Sequence, residues 1–177
     1  KSLDEELKNA KDAIILTVDK DIQYLIRDEL LRFNNIFKTK GSAAILMNVN
    51  NGEILSLVSL PDFDPNKREK ITDVNFINRA TKGVYEFGSV FKTFTIAAAF
   101  EEKIIEPNKE FKNLPKYLTC AGFPIREYNE NLPTNLTTEE ILIRSGNIGS
   151  VKIAQEVGEE KNKLFLSKLG ITGKINF

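Results

Sequence analysis

An α+β fold is predicted for this 177-residue chain on three observations. Two apolar stretches, 43–49 and 53–60, flank Asn50-Asn51-Gly52, which is the pattern of a β-hairpin. Apolar residues between 20 and 37 recur at helical spacing. Behind Ser89 the signals are helical on either side of a loop-rich stretch, 108–135, with glycines and prolines as punctuation.

The elements follow in order. Residues 14–18 (I-I-L-T-V) form a short β-branched run that reads as a lead-in strand. Asp19 is placed to cap a helix over 20–37, in which Ile22, Leu25, Ile26, Leu30 and Phe33 share one face. Residues 38–41 end it, with Gly41 as the stop. In the hairpin, Asn51-Gly52 suits the positive φ angles of a type I′ turn, and Pro61 closes the second strand. The stretch 62–73 is polar and reads as a loop. From Ser89 onward, Phe91, Phe94, Thr95, Ala97, Ala98 and Phe100 leave no polar face before Glu101, so this helix is expected to be buried all round. Pro115, Pro124 and Pro133 make 108–135 loop-rich. Thr137 and Glu140 form a capping box ahead of 141–143, and Gly146 and Gly149 are expected to interrupt that helix. Short helices follow over 151–157 and 161–169, stopped by Gly158 and Gly170.

Composition narrows the chemistry. Lys+Arg and Asp+Glu are both 25, so no broad basic footprint for nucleic acid is expected. There is no His, which removes Ser-His-Asp and Cys-His catalysis and His-based metal sites. A single cysteine, Cys120, excludes an internal disulfide and is expected to be a buried or half-buried apolar residue. The 12 Phe are expected to supply core. No apolar run approaches the roughly 20 residues that span a bilayer. The opening K-S-L-D-E-E-L-K reads as an interior cut, with no signal peptide. No metal or cofactor is expected.

Any nucleophile or base must then come from Ser, Thr, Lys, Tyr, Asp or Glu. Ser89 and Lys92 lie i and i+3 at a helix start and share a face. A serine hydroxyl needs a base, and a lysine serves if it is neutral; apolar neighbours such as Phe91 and Phe94 favour that form. The first-turn N–H of Ser89 is the natural donor to a developing oxyanion. Taken alone, Ser89-x-x-Lys92 also fits a plain helix start with a solvated lysine. Ser145-Gly146-Asn147 breaks a second helix, offering a hydroxyl to relay a proton and an amide that both donates and accepts; alone, it also fits a plain helix-to-helix turn. The spacing Gly83-V-Y-E-F-Gly88 imitates a phosphate loop, but Ser89-Val90 follows where Lys-Ser/Thr is required, so nucleotide binding is not expected.

The two motifs in this order resemble the penicillin-binding protein transpeptidase family, which includes the serine β-lactamases. L-T-V-D-K-D-I-Q-Y-L is similar to the opening of the class B transpeptidase domain. A-I-L-M-N-V-N-N-G-E-I-L-S-L-V-S-L-P-D-F-D-P-N resembles its first hairpin, N-R-A-T-K-G-V-Y-E-F-G-S-V-F-K-T-F-T-I-A-A-A-F its active-site segment, and L-T-T-E-E-I-L-I-R-S-G-N-I-G-S its second motif. The likeness runs from about Ile14 to Gly173 and is nearest to the septal, division-specific branch, with the cell-elongation branch second.

The resemblance implies an incomplete transpeptidase/serine β-lactamase-like fold. Residues 13–60 would hold the lead-in strand, helix and first hairpin, and 89–170 the helical subdomain. It implies that Ser89 attacks the penultimate D-Ala carbonyl of a stem peptide or a β-lactam ring, and that Lys92 takes its proton. Ser145 would pass a proton to the leaving group, and Asn147 would hold the acyl-chain amide and orient Lys92. Phe87 stands where the family often has Pro. The family's third motif, Lys-Thr/Ser-Gly, has no counterpart here: Thr172-Gly173-Lys174 is in the wrong order, and the chain ends at Phe177. The implied five-stranded sheet would have only its first two strands, with an edge left open. Half an active site is therefore expected, with slow turnover or none. Stem peptides and β-lactam antibiotics are the implied ligands, with divisome proteins and a glycosyltransferase as partners. A bacterial inner-membrane anchor and a periplasmic catalytic domain are implied but not visible. A D,D-carboxypeptidase or β-lactamase of the same fold, and a β-lactam sensor module, are the competing readings.

Overall fold

The computed structural model describes residues 15–64, 66–67 and 74–173. The chain divides into two compact units, Lys1–Tyr85 and Glu86–Phe177.

In the first unit, helix α1 spans Lys20–Phe37. Asp19 caps it, its Oδ1 accepting from the N–H groups of Asp21 (2.9 Å) and Ile22 (3.0 Å). The stop is Lys38 in the left-handed region (φ 51), whose N–H donates to the Asn34 carbonyl. Gly41 has a different task. A Cβ there would lie 2.8 Å from the Leu60 carbonyl and 2.5 Å from Arg79 Nε, so the glycine permits a close approach.

Strands β1 (Ser42–Met47) and β2 (Ile54–Leu60) pair antiparallel, Ser42 opposite Leu60, with a bulge at Leu46/Met47. Their turn is not type I′. Only Gly52 takes a positive φ (77°), and the ladder closes one step further out, Asn48 N–H donating to Glu53 O at 2.9 Å. The side chain of Gln23 on α1 covers part of the other edge of β2. Its Nε2 donates to Leu57 O (2.8 Å), and its Oε1 accepts from Leu57 N–H (2.9 Å) and from the buried Ser56 hydroxyl (2.8 Å). Ile14 lies outside the described residues. Residues 15–18 form no strand: Ile15 and Leu16 are exposed, and the hydrogen bonds to β2 here are Thr17 Oγ1 donating to Ile54 O and, from the next residue, Asp19 N–H donating to Leu55 O. A short helix, α2 (Arg79–Lys82), follows, capped by Asn78.

The second unit opens with a 3₁₀ turn, Gly88–Phe91, that runs into α3 (Lys92–Glu101). Its core is aliphatic and continuous: Ile96, Ala98 and Ala99 of α3 meet Leu136, Ile141, Ile148, Ile153 and Val157. Phenylalanine contributes little to it, with Phe165 packed against it from outside. Phe111 is the one Phe in this cluster, while Phe87, Phe100 and Phe123 are exposed. Helix α3 is accordingly not buried all round. The helices that follow cover only part of it, and Ala97 and Phe100 face outward. Cys120 is exposed rather than buried.

The segment expected to be loop contains two short ladders. Strand β3 (Glu110–Phe111) pairs with β6 (Leu136–Thr137), and β4 (Tyr117–Cys120) with β5 (Phe123–Arg126). The β4–β5 turn is the two-residue Ala121-Gly122, with φ 48° and 82°, so the primed geometry expected at Asn51-Gly52 occurs here. An alanine in the left-handed region is unfavourable, and asparagine tolerates it better. Ala121→Asn is therefore expected to raise stability by about 0.5 kcal/mol, read as a higher urea midpoint; a lower midpoint would refute this turn geometry.

Helix α4 (Thr138–Ile143) begins with the expected capping box. Thr137 Oγ1 accepts from Glu140 N–H (3.2 Å), and Glu140 Oε2 accepts from Thr137 N–H (2.9 Å). Gly149 does not interrupt the next helix. Helix α5 runs unbroken over Asn147–Val157, with Gly146 as its N-cap. Gly149 sits against Ile141 of α4, where no side chain fits. Helix α6 (Glu159–Lys168) completes the unit, with Gly158 and Gly170 both at positive φ.

Candidate active site

The 3₁₀ winding at Gly88–Phe91 decides how Ser89 and Lys92 relate. In that geometry residues i and i+3 eclipse one another, so the two side chains leave the same face a single tight turn apart. Gly88 enters the turn at φ 55°. Ser89 is exposed and Lys92 half-buried.

The Lys92 amine is held by the segment between α4 and α5. Its Nζ donates to Ser145 O (2.6 Å), Ser145 Oγ (3.1 Å) and Asn147 Oδ1 (2.5 Å). Burial pushes the Lys92 pKa below the ordinary lysine value, and the negative charge of Glu127 acts in the opposite direction. Ser145 reaches the amine with both carbonyl and hydroxyl because its backbone is left-handed (φ 53°), a conformation that costs energy in a non-glycine residue. Asn147 is the first residue of α5; its Nδ2 donates to Arg126 O (2.7 Å), which turns Oδ1 toward Lys92.

Of the four residues read from the sequence, then, Lys92, Ser145 and Asn147 share one hydrogen-bond set, and Ser89 precedes Lys92 by one turn with its hydroxyl outside that set. Sequence reading missed Glu127. Its carboxylate caps α5 with both oxygens, Oε2 accepting from Asn147 N–H (2.6 Å) and Oε1 from Ile148 N–H (2.8 Å). A capping residue so far upstream of its helix leaves no local spacing signal. A cavity of about 370 Å³ adjoins Arg126 and Glu127, lined also by Leu114, Tyr117 and Thr134, but it includes neither Ser89 nor Lys92. No cluster of His, Cys, Asp and Glu able to hold a metal occurs among the described residues.

The arrangement offers an exposed hydroxyl, an amine whose neutral form is favoured by burial, and a second hydroxyl bonded to that amine. These are the parts of a nucleophile, its base and a proton relay.

The sequence profile of the penicillin binding protein transpeptidase domain matches residues 42–177. A curated relative from Caulobacter vibrioides, described as a probable peptidoglycan D,D-transpeptidase FtsI, is 34% identical over 89% of this chain and 26% of its own length. Among solved structures, the transpeptidase (TP) domain of penicillin-binding protein 3 from Burkholderia pseudomallei superposes with a TM-score of 0.74 at 28% identity, covering 92% of this chain and 44% of that one. A mycobacterial penicillin-binding protein 3 solved in complex with aztreonam gives 0.79 at 25% identity, covering 89% and 35%. The chain thus spans less than half the length of each of these proteins.

Proposed function

The chain belongs to the penicillin-binding protein transpeptidase family, and on that premise we propose that it carries the acylating half of a serine D,D-transpeptidase, with Ser89 as nucleophile and Lys92 as its base. The observation that carries this reading is the triple anchoring of the Lys92 amine by Ser145 and Asn147, one 3₁₀ turn from Ser89.

Neutral Lys92, whose two N–H bonds then go to Ser145 O and Asn147 Oδ1 and leave its lone pair free, takes the proton of the Ser89 hydroxyl as its oxygen attacks the carbonyl carbon of the penultimate D-Ala of a stem peptide. The carbonyl π electrons move to oxygen, and the Ser89 N–H is a donor to that oxyanion. On collapse the C–N bond breaks, the departing D-Ala amine receives a proton through Ser145, and an ester on Ser89 remains. A second stem peptide's amine then attacks the ester carbonyl and gives up a proton to Lys92; the C–Oγ bond breaks, Ser89 Oγ regains the proton, and the acyl group leaves as a new amide. Asn147 holds the acyl-chain amide near the base. A β-lactam follows the same first step, but its leaving nitrogen stays tethered through the opened ring.

Likeness to a relative named FtsI supports work in septal cell-wall synthesis. The wider reading includes an inner-membrane anchor with a periplasmic catalytic domain, and divisome and glycosyltransferase partners. Among the described residues no helix is long and apolar enough to cross a membrane.

The test is intact mass and peptide mapping after incubation with a penicillin, on a protein extended through the third motif. One adduct with the full mass of the antibiotic is expected, in the peptide that contains Ser89. An adduct mapping to any other residue would overturn the assignment.

A further inference from the structure

Two consecutive residues at the end of β5 grip the start of α5. The Arg126 carbonyl accepts from the Asn147 side-chain amide, and the Glu127 carboxylate accepts from the backbone N–H groups of Asn147 and Ile148. Asn147 is therefore tied at its side chain and its backbone by one short hairpin, β4–β5, whose register runs from Tyr117–Arg126 to Cys120–Phe123. Its remaining amide atom, Oδ1, faces the Lys92 amine. Gly146, the N-cap of α5, brings no side chain to its own helix start, so the donors there rely on a group from elsewhere.

We propose that Glu127 is a positioning residue for acylation: by clamping the first two amides of α5 it fixes Asn147, and through Asn147 it holds the Lys92 amine beside Ser89. This rests on the transpeptidase reading and deepens it, since neither the nucleophile nor the base touches Glu127 in a hydrogen bond. A carboxylate suits the role because both oxygens accept. Glutamine retains one acceptor and turns an N–H₂ group against the second amide, so half the clamp is lost. Glu127 also acts by charge. It is the charged group among the described residues that favours the ammonium form of Lys92, against the burial that disfavours it. A residue that only stabilised the helix would not affect when Lys92 loses its proton.

The experiment compares the full-length protein with its Glu127→Gln and Glu127→Asp variants, following acylation of Ser89 by benzylpenicillin across pH, with urea midpoints as a check on folding. Glu127→Gln is expected to slow acylation on the order of 10-fold, since a misplacement of about 1 Å can cost about 100-fold and half the clamp remains. It is also expected to move the midpoint of the pH–rate rise downward, because the charge favouring protonated Lys92 is gone. Glu127→Asp keeps the charge and should keep the wild-type midpoint. A Glu127→Gln protein with wild-type rate refutes the proposal. So does one with a slower rate but an unmoved midpoint, which would make Glu127 a helix cap and nothing more. Wild-type protein that forms no adduct at Ser89 refutes the transpeptidase reading itself, and this proposal with it.

Discussion

Replacing Lys92 with methionine is expected to slow β-lactam acylation of Ser89 by about 1,000-fold in the full-length protein, the scale of loss when a positioned general base is removed. Methionine preserves the unbranched apolar stem and removes the amine, so local packing changes little. The groups left behind, Ser145 O, Ser145 Oγ and Asn147 Oδ1, lie near solvent and can turn to water. The pH dependence carries the mechanism. On the proposed mechanism acylation needs the neutral amine, and its fraction grows as pH rises. Burial lowers the Lys92 pKa, so the wild-type rate should climb at a lower pH than a free lysine would dictate. In the methionine variant that climb should vanish. A variant that acylates within a few-fold of wild type, or keeps the same pH profile, would remove Lys92 from the mechanism.

The largest expected loss of stability comes from a substitution that looks favourable by propensity. Gly149→Ala places a good helix former inside α5, worth about 1 kcal/mol in an exposed helix. Here the new Cβ would lie 2.6 Å from Ile141 Cδ1 and Cγ1. Ile141 is fully buried in the core and has little room to yield. Overpacking of that kind costs more than the propensity gain, and a net destabilisation of about 2 kcal/mol is expected, read from urea unfolding. Ile141 also accepts the Gly146 N–H at 2.8 Å, so a shift there moves the Ser145–Asn147 segment that holds Lys92. Ile141→Val in the same protein removes Cδ1, one of the crowded atoms, and should recover part of the loss. A Gly149→Ala protein as stable as wild type would show that α4 and α5 are not in such close contact.

Features carried by neighbours in the chain were legible in the sequence. Asp19 capped the helix over 20–37 because its acceptor lies two and three residues from the donors it serves. Thr137 and Glu140 formed their box for the same reason. The relation of Ser89 to Lys92 is likewise a property of one turn. Harder to see were conformations that the residue type does not advertise. Ala121 adopts positive φ without being Asn or Gly, so the β4–β5 hairpin was hidden in a proline-bearing stretch. Asn51-Gly52 has the right letters for a primed turn, but ladder closure at Asn48–Glu53 made the loop longer. The Phe content promised a larger share of the core than Phe111 and Phe165 supply; aliphatic residues built most of the cluster in the second unit.

By itself, then, the sequence determined the family, the helix that begins at Ser89-x-x-Lys92, the Ser145-Gly146-Asn147 break and the first hairpin. Each of these depends on residues close enough in the chain for backbone geometry to relate them. Only the tertiary structure decided that Ser145 turns left-handed to offer two oxygens to Lys92, that Arg126 fixes the Asn147 amide, and that Glu127 clamps a helix twenty residues further on. Those contacts join segments that chain connectivity leaves free to lie anywhere. They exist because burial of the α3–α4–α5 core brings the segments together, and the polar groups at its edge must then find partners.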